Sequence, residues 1–309
     1  MDLIQSLLIL MILVFLGAMS RRIRIFNDKD AKVLSSFVYY FSLPALFFVK
    51  ISRLDISQIH PALFWGSIAP LIGIVLLLRI MVWLKIIDKH PFILFSVTVV
   101  FGSNAFFGLA FFEFFKNGLF FNNAIITSSF LGVFGIVGSI LLFEHVENKR
   151  DYINILRNLI KNPLIISIIV GFACSLLKFN NSFLHNAFDL LGNAAPSIAI
   201  FSLGIFLYDH FSVKLSLDSL IYAIFRFIAI PIGVLITIYV MEIIFQMDIS
   251  FNIKQFLLLQ SAIPAAISLV IFANRYNYKI PEITGLVIVT SLFSFPMMGL
   301  LYVLSYLIF

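Results

Sequence analysis

The sequence predicts an all-α membrane protein with ten transmembrane helices in two inverted five-helix repeats. Three observations carry this reading. The chain has 309 residues, of which 61% are hydrophobic and only 12% charged. A soluble chain is about half apolar and about a quarter charged, so no water-soluble surface can be built from this composition. The apolar residues recur from Leu3 to Phe309 and are broken by short polar clusters. Finally, the second half repeats the order of features in the first.

The blocks are long enough for helices. Crossing about 30 Å of hydrocarbon at about 1.5 Å per residue takes about 20 residues. Barrel strands would alternate over about 10 residues instead. A helix satisfies its own backbone in lipid. The spans are expected at 3–20, 31–52, 61–84, 92–115, 120–144, 161–178, 184–208, 217–244, 254–274 and 282–307. The longest polar break, Glu144–Lys161, is read as a linker between the halves. The repeats are thus 1–148 and 149–309.

Lysine and arginine set the orientation. Fifteen lie in loops after odd-numbered spans and five after even-numbered ones. Odd loops are therefore expected in the cytoplasm and both termini outside. Arg21, Arg22 and Arg24 follow the first apolar run, the reverse of a cleavable signal peptide. Small loops and no targeting segment suggest a bacterial inner (plasma) membrane.

The halves share landmarks. Gly17 then Pro44 in spans one and two match Gly171 then Pro196 in spans six and seven. "APLIGIV" around Pro70 in span three matches "IPIGVLI" around Pro231 in span eight. An odd number of spans per half inverts the second half. Inverted repeats with a midplane site mark secondary transporters.

Spans four and nine carry the polar residues. Span four reads "FGSNAFFGLAFFEFF", with Gly102, Ser103, Asn104 and Gly108 near mid-bilayer and Glu113 near the exit. Such groups are costly in hydrocarbon unless they face protein or a water-filled cavity. Span nine reads "LQSAIPAAISLVIFANRY". Pro264 removes a backbone donor and frees a carbonyl about four residues back, near Gln260. Ser261 and Ser268 flank it. If these two helices are broken and cross, half-helix N-termini supply N–H groups and partial positive charge for a carboxylate, without an intramembrane Lys or Arg. The alternative is a proline-kinked helix packed through small residues. Asp189 and Glu242 are read near span ends, and Arg79 and Arg226 as snorkelling towards the cytoplasm. Glu113 is the candidate for a coupling group (H+ or Na+).

Other chemistries are excluded. No His pair has metal-ligand spacing, there is no Walker loop, and no reactive pair shares a depth. No catalytic residue, metal or cofactor is expected. Cys174 stands alone in an apolar run. The +6 net charge forms no basic helix for nucleic acid.

Five strings together resemble the auxin efflux carrier family of permeases. They are "FSLPALFF" around Pro44, "KNPLIISIIVGF" (161–172), "LGNAAPSIAIFSLGIFL" (191–207), "AIPAAISLVIFANRY" (262–276) and "VIVTSLFSFPMM" (287–298). The resemblance implies that spans one, two, six and seven form a scaffold and homodimer interface. It implies that spans three to five and eight to ten form an elevator-type transport domain. The site would lie where spans four and nine cross, with Asn104 and Pro264 at the crossing. The substrate would be a small organic anion, a mono- or dicarboxylate. Where the family commonly has Gly-Leu-Pro in span four, this chain has Gly108-Leu109-Ala110. Without the proline, only the glycines are left to unwind the span. That departure keeps open a second reading, a membrane sensor or scaffold that does not transport.

Overall fold

A computed structural model describes residues 3–54, 59–147, 160–179, 181–210 and 216–309. Most of the expected linker, including Lys149, Arg150 and Arg157, lies outside the described residues, as does Lys214. Among the described residues the regular structure is helical. Seven helices are long and apolar enough to cross a membrane: Leu3–Arg22, Lys32–Ser52, Pro61–Trp83, Phe121–Phe143, Ser182–His210, Leu217–Ile243 and Ile280–Ile308. Large apolar side chains such as Phe15, Ile228 and Ile236 stand exposed on them. In water such a surface would aggregate, whereas in lipid it is solvated. The protein is a multi-pass membrane protein.

The chain divides into two compact units. The first holds residues 1–59, 105–129 and 152–212. Its helices are α1 (Leu3–Arg22), α2 (Asp28–Phe37), α3 (Leu43–Ser52), α6 (Leu109–Phe114), α8 (Pro163–Leu176), α9 (Ser182–Gly192) and α10 (Ala195–His210). A π-helical turn, Val38–Ser42, joins α2 to α3 just before Pro44. The second unit holds residues 60–104, 130–151 and 213–309. It contains α4 (Pro61–Trp83), α5 (Lys89–Val100), α11 (Leu217–Ile243), α12 (Phe251–Gln260), α13 (Ser268–Arg275) and α14 (Ile280–Ile308). The helix α7 (Phe121–Glu147) runs from the first unit into the second.

In the first unit α1 packs on α10 and α3 on α8. The first pair meets through glycine. A Cβ at Gly17 would lie 2.1 Å from the Phe201 carbonyl oxygen, and one at Gly204 would lie 2.0 Å from that of Val14. Backbones this close give lipid-soluble helices the dispersion contacts that hydrophobicity cannot supply in a membrane. Polar groups finish the ends. Asn162 Oδ1 accepts the Leu164 N–H at 3.0 Å and Pro163 fills the first helical position of α8. Arg21 pairs with Asp209, and Arg53 Nη1 donates to Asp189 at 2.7 Å.

In the second unit α11 packs on α4, and a Cβ at Gly233 would meet Pro70 at 3.1 Å. Glu242 pairs with Lys254 at 2.5 Å. Beyond the spans, His90 Nδ1 lies 3.0 Å from the Tyr278 hydroxyl. Burial pushes the Tyr278 phenol up to about 12 from 10.0. The folded state therefore holds this proton more tightly than the unfolded chain does. Its contribution is complete below pH about 10 and is lost as pH rises through about 12. Phenolate absorbance during alkaline titration should show a late-ionising fraction that loses its last component in Tyr278→Phe.

Candidate functional site

The second unit holds two interruptions. Span four stops as an α-helix at Val100, and Phe101 turns extended at φ −119° and ψ 93°. It resumes as a π-helical turn at Asn104–Gly108 and then as α6. Span nine stops at Gln260 and resumes at Ser268. Span four therefore opens although Ala110 stands in place of proline.

What replaces the proline is the other span's backbone. Gly102 and Ala265 form an antiparallel β-bridge. The Ser103 N–H donates to the Pro264 carbonyl at 2.8 Å, and the Ala266 N–H to the Phe101 carbonyl at 3.0 Å. The Ala265 N–H donates to Thr290 Oγ1 at 3.1 Å. Groups that the two helix breaks would orphan in apolar surroundings are thus paired with each other. The Gln260 carbonyl, expected to be freed by Pro264, instead accepts from the Ile263 N–H at 3.2 Å.

Arg226 donates to the carbonyls of Thr98 and Ile263 and adds a second, longer contact to the Pro264 carbonyl, which already accepts the Ser103 N–H. Its Nε and Nη2 donate to Ile263 O at 3.1 and 2.8 Å, and Nη2 reaches Pro264 O at 3.4 Å. Its Nη1 donates to Thr98 O. Arg226 is 3% exposed. This corrects the reading of Arg226 as snorkelling and the expectation of a crossing without an intramembrane cation. The physical reason is electrostatic. The C-terminal ends of α5 and α12 each carry about half a negative charge and unpaired carbonyls. A planar guanidinium with several N–H groups fits three such carbonyls better than water could. Among the described residues no carboxylate forms an ion pair with it.

Arg226 also lines a cavity of about 30 Å³ together with Gly66, Ser67, Asn104, Gln260 and Ser261. That is room for about two waters. Ser67 Oγ donates to Gln260 Oε1 at 2.9 Å. Asn104 Nδ2 reaches the Gly102 carbonyl at 3.4 Å. Ser261 Oγ donates to Leu258 O. Leu71, Val99, Leu131 and Ile230 are among the apolar walls. A Cβ at residue 102 would sit 2.8 Å from Arg226 Nη2 and 3.0 Å from Asn104 Nδ2. Glycine is what lets both side chains close over the bridge.

Of the residues singled out in the sequence, Gly102, Asn104 and Ser261 line the cavity. Ser103 and Pro264 make the bridge through their backbones. Ser268 opens α13 and is not among the lining residues. Gly108 closes the π-helical turn, and half-buried Glu113 lies on α6, both in the first unit. Sequence reasoning missed Arg226, Ser67 and Gln260 as lining residues and Thr290 as a support. For Arg226 the signal existed, since an ionisable residue well inside an apolar span is a functional candidate by default.

A helical membrane protein whose polar cavity sits at two interrupted, mutually paired helices belongs to the class of membrane carriers, not of enzymes. The chain matches the membrane transport protein family over residues 2–111 and 144–302. It is a member of that family, the one to which the auxin efflux carriers belong. It is also 26% identical over 314 aligned residues to the uncharacterized transporter MJ1031 of Methanocaldococcus jannaschii, covering 95% of this chain and 96% of that one.

Proposed function

We propose that the protein is a secondary transporter of a small organic anion, a mono- or dicarboxylate, working by alternating access to the cavity at Asn104, Arg226 and Ser261. One observation carries the reading: two spans give up helix at the same place, and a polar cavity lies there. Opening helices in a membrane costs backbone hydrogen bonds, and transporters use that cost to present polar groups to a solute. No covalent chemistry is required.

In this reading the two five-helix repeats, 1–148 and 149–309, are inserted in opposite senses, with both termini outside a bacterial inner membrane. Spans one, two, six and seven serve as the scaffold, and as the contact in a homodimer. Spans three to five and eight to ten carry the anion in an elevator-type motion. The separation of α1, α3, α8 and α10 from α4, α11 and α14 into different compact units supports that division of labour, while residues 105–129 of spans four and five group with the scaffold helices. Glu113 is assigned the coupling role.

The test is uptake of labelled carboxylates into proteoliposomes holding the purified protein. Malate-like, malonate-like and aromatic acids span the class. At least one should accumulate, and Asn104→Ala should cut its uptake about tenfold, the scale of one lost hydrogen bond to a charged group. No movement of any of them, with Asn104→Ala indistinguishable from wild type, would overturn the assignment.

A further inference from the structure

We infer that Arg226 is the residue that takes the substrate's carboxylate, and that its setting restricts the cargo to one negative charge. This rests on the transport reading above and narrows it.

Arginine stays protonated in proteins, so a full positive charge stands in the buried centre of the second unit. Its bonds go to neutral carbonyls of Thr98, Ile263 and Pro264. Carbonyl dipoles hold a guanidinium in place and offset part of its charge, but as neutral groups they leave it without a counter-ion. Three carbonyls use Nε, Nη2 and one N–H of Nη1. The second N–H of Nη1 has no acceptor among the described residues. The same side chain lines the cavity, beside the Asn104 carboxamide across Gly102. A carboxylate there gains a charge-assisted hydrogen bond and a counter-ion in a medium that screens little.

The limit to one charge follows from the same list. Arg226 is the sole ionisable residue among those lining the cavity. Its charge is already shared with the C-terminal ends of α5 and α12. A second carboxylate would be buried facing Ser67, Gln260 and aliphatic side chains, which hydrogen-bond but do not neutralise. A hydroxyl or keto oxygen suits those groups. The cavity holds about two waters, less than a three-carbon acid fills, so it must widen on binding, and the cargo that asks least of it is a short monocarboxylate bearing such a substituent.

The experiment is equilibrium binding to the purified full-length protein, using lactate, pyruvate, lactamide, malonate and malate at neutral pH. Lactate or pyruvate should bind at least tenfold tighter than lactamide and than either dicarboxylate. Malonate binding should strengthen as pH falls and its monoanion becomes populated. Arg226→Gln, checked for monodisperse folding, should bind lactate and lactamide alike. A merely structural arginine would not move that charge discrimination. Arg226→Lys should restore part of it. Dicarboxylates binding as tightly as monocarboxylates at neutral pH would overturn the one-charge limit and leave anion transport standing. Charge discrimination unchanged in folded Arg226→Gln would overturn the role of Arg226. If Arg226→Gln does not fold, the wild-type ligand series alone decides the limit. Wild-type protein that binds and moves no carboxylate would sink the transport reading itself.

Discussion

Gly204→Ala should abolish stable assembly of the first unit. The added Cβ would lie 2.0 Å from the Val14 carbonyl oxygen and 3.0 Å from the Ala18 nitrogen. Both are backbone atoms of α1, so no rotamer change relieves the clash and the helices must separate. Overpacking costs about 1–3 kcal/mol even where flexible side chains yield, and a rigid helix pair sits at or above the top of that range. Separation in lipid also forfeits the close contacts that hold the pair, because the released surfaces are equally content against acyl chains. Gly17→Ala, facing Phe201 O at 2.1 Å, should behave the same way. Gly73, Gly132 and Gly299 are the controls, since a Cβ at each would meet nothing within 4 Å. Alanine there should be neutral or stabilise by up to about 1 kcal/mol through helix propensity. Thermal unfolding in detergent reads all five. Wild-type stability in Gly204→Ala would refute the close approach of α1 and α10.

Ala266→Pro should disable the crossing while leaving most of the protein folded. It deletes the N–H that donates to Phe101 O at 3.0 Å. An unpaired buried carbonyl costs about 1–3 kcal/mol. The loss falls on the segment that positions Gly102 and Asn104. Transport should therefore drop by more than tenfold while the melting temperature falls by only a few degrees. Ala266→Gly keeps the N–H and should retain transport. Equal activity of the proline and glycine variants would show that the bridge is dispensable.

Much of this architecture was legible because hydrocarbon is an unforgiving solvent. Apolar blocks of about 20 residues announce membrane helices, and Asn104, Ser261 and Pro264 stand out against them. The break in span four was harder to read, since its usual proline is Ala110. What opens it is a pairing between residues 101–103 and 264–266, more than 150 positions apart, and no local propensity encodes that. Arg226 was visible but misread for a similar reason. A cation one-third of the way along an apolar helix can snorkel or turn inward, and the carbonyls that draw it inward belong to α5 and to the stretch after α12. Ser67 and Gln260 are ordinary polar residues until the fold brings them to 2.9 Å from each other.

The joint between spans four and nine is made of main-chain atoms, and main-chain atoms are common to every residue. Side chains at residues 101, 103, 265 and 266 can therefore be exchanged at similar volume, proline apart, without cutting a rung. Gly102 is the exception, because any larger residue would push against Arg226 and Asn104. The mechanical frame and the chemical selectivity are thus written in different alphabets. On the proposed reading, retuning this protein for a new cargo is a matter of replacing Ser67, Asn104, Gln260 or Ser261 around a joint whose backbone rungs stay in place.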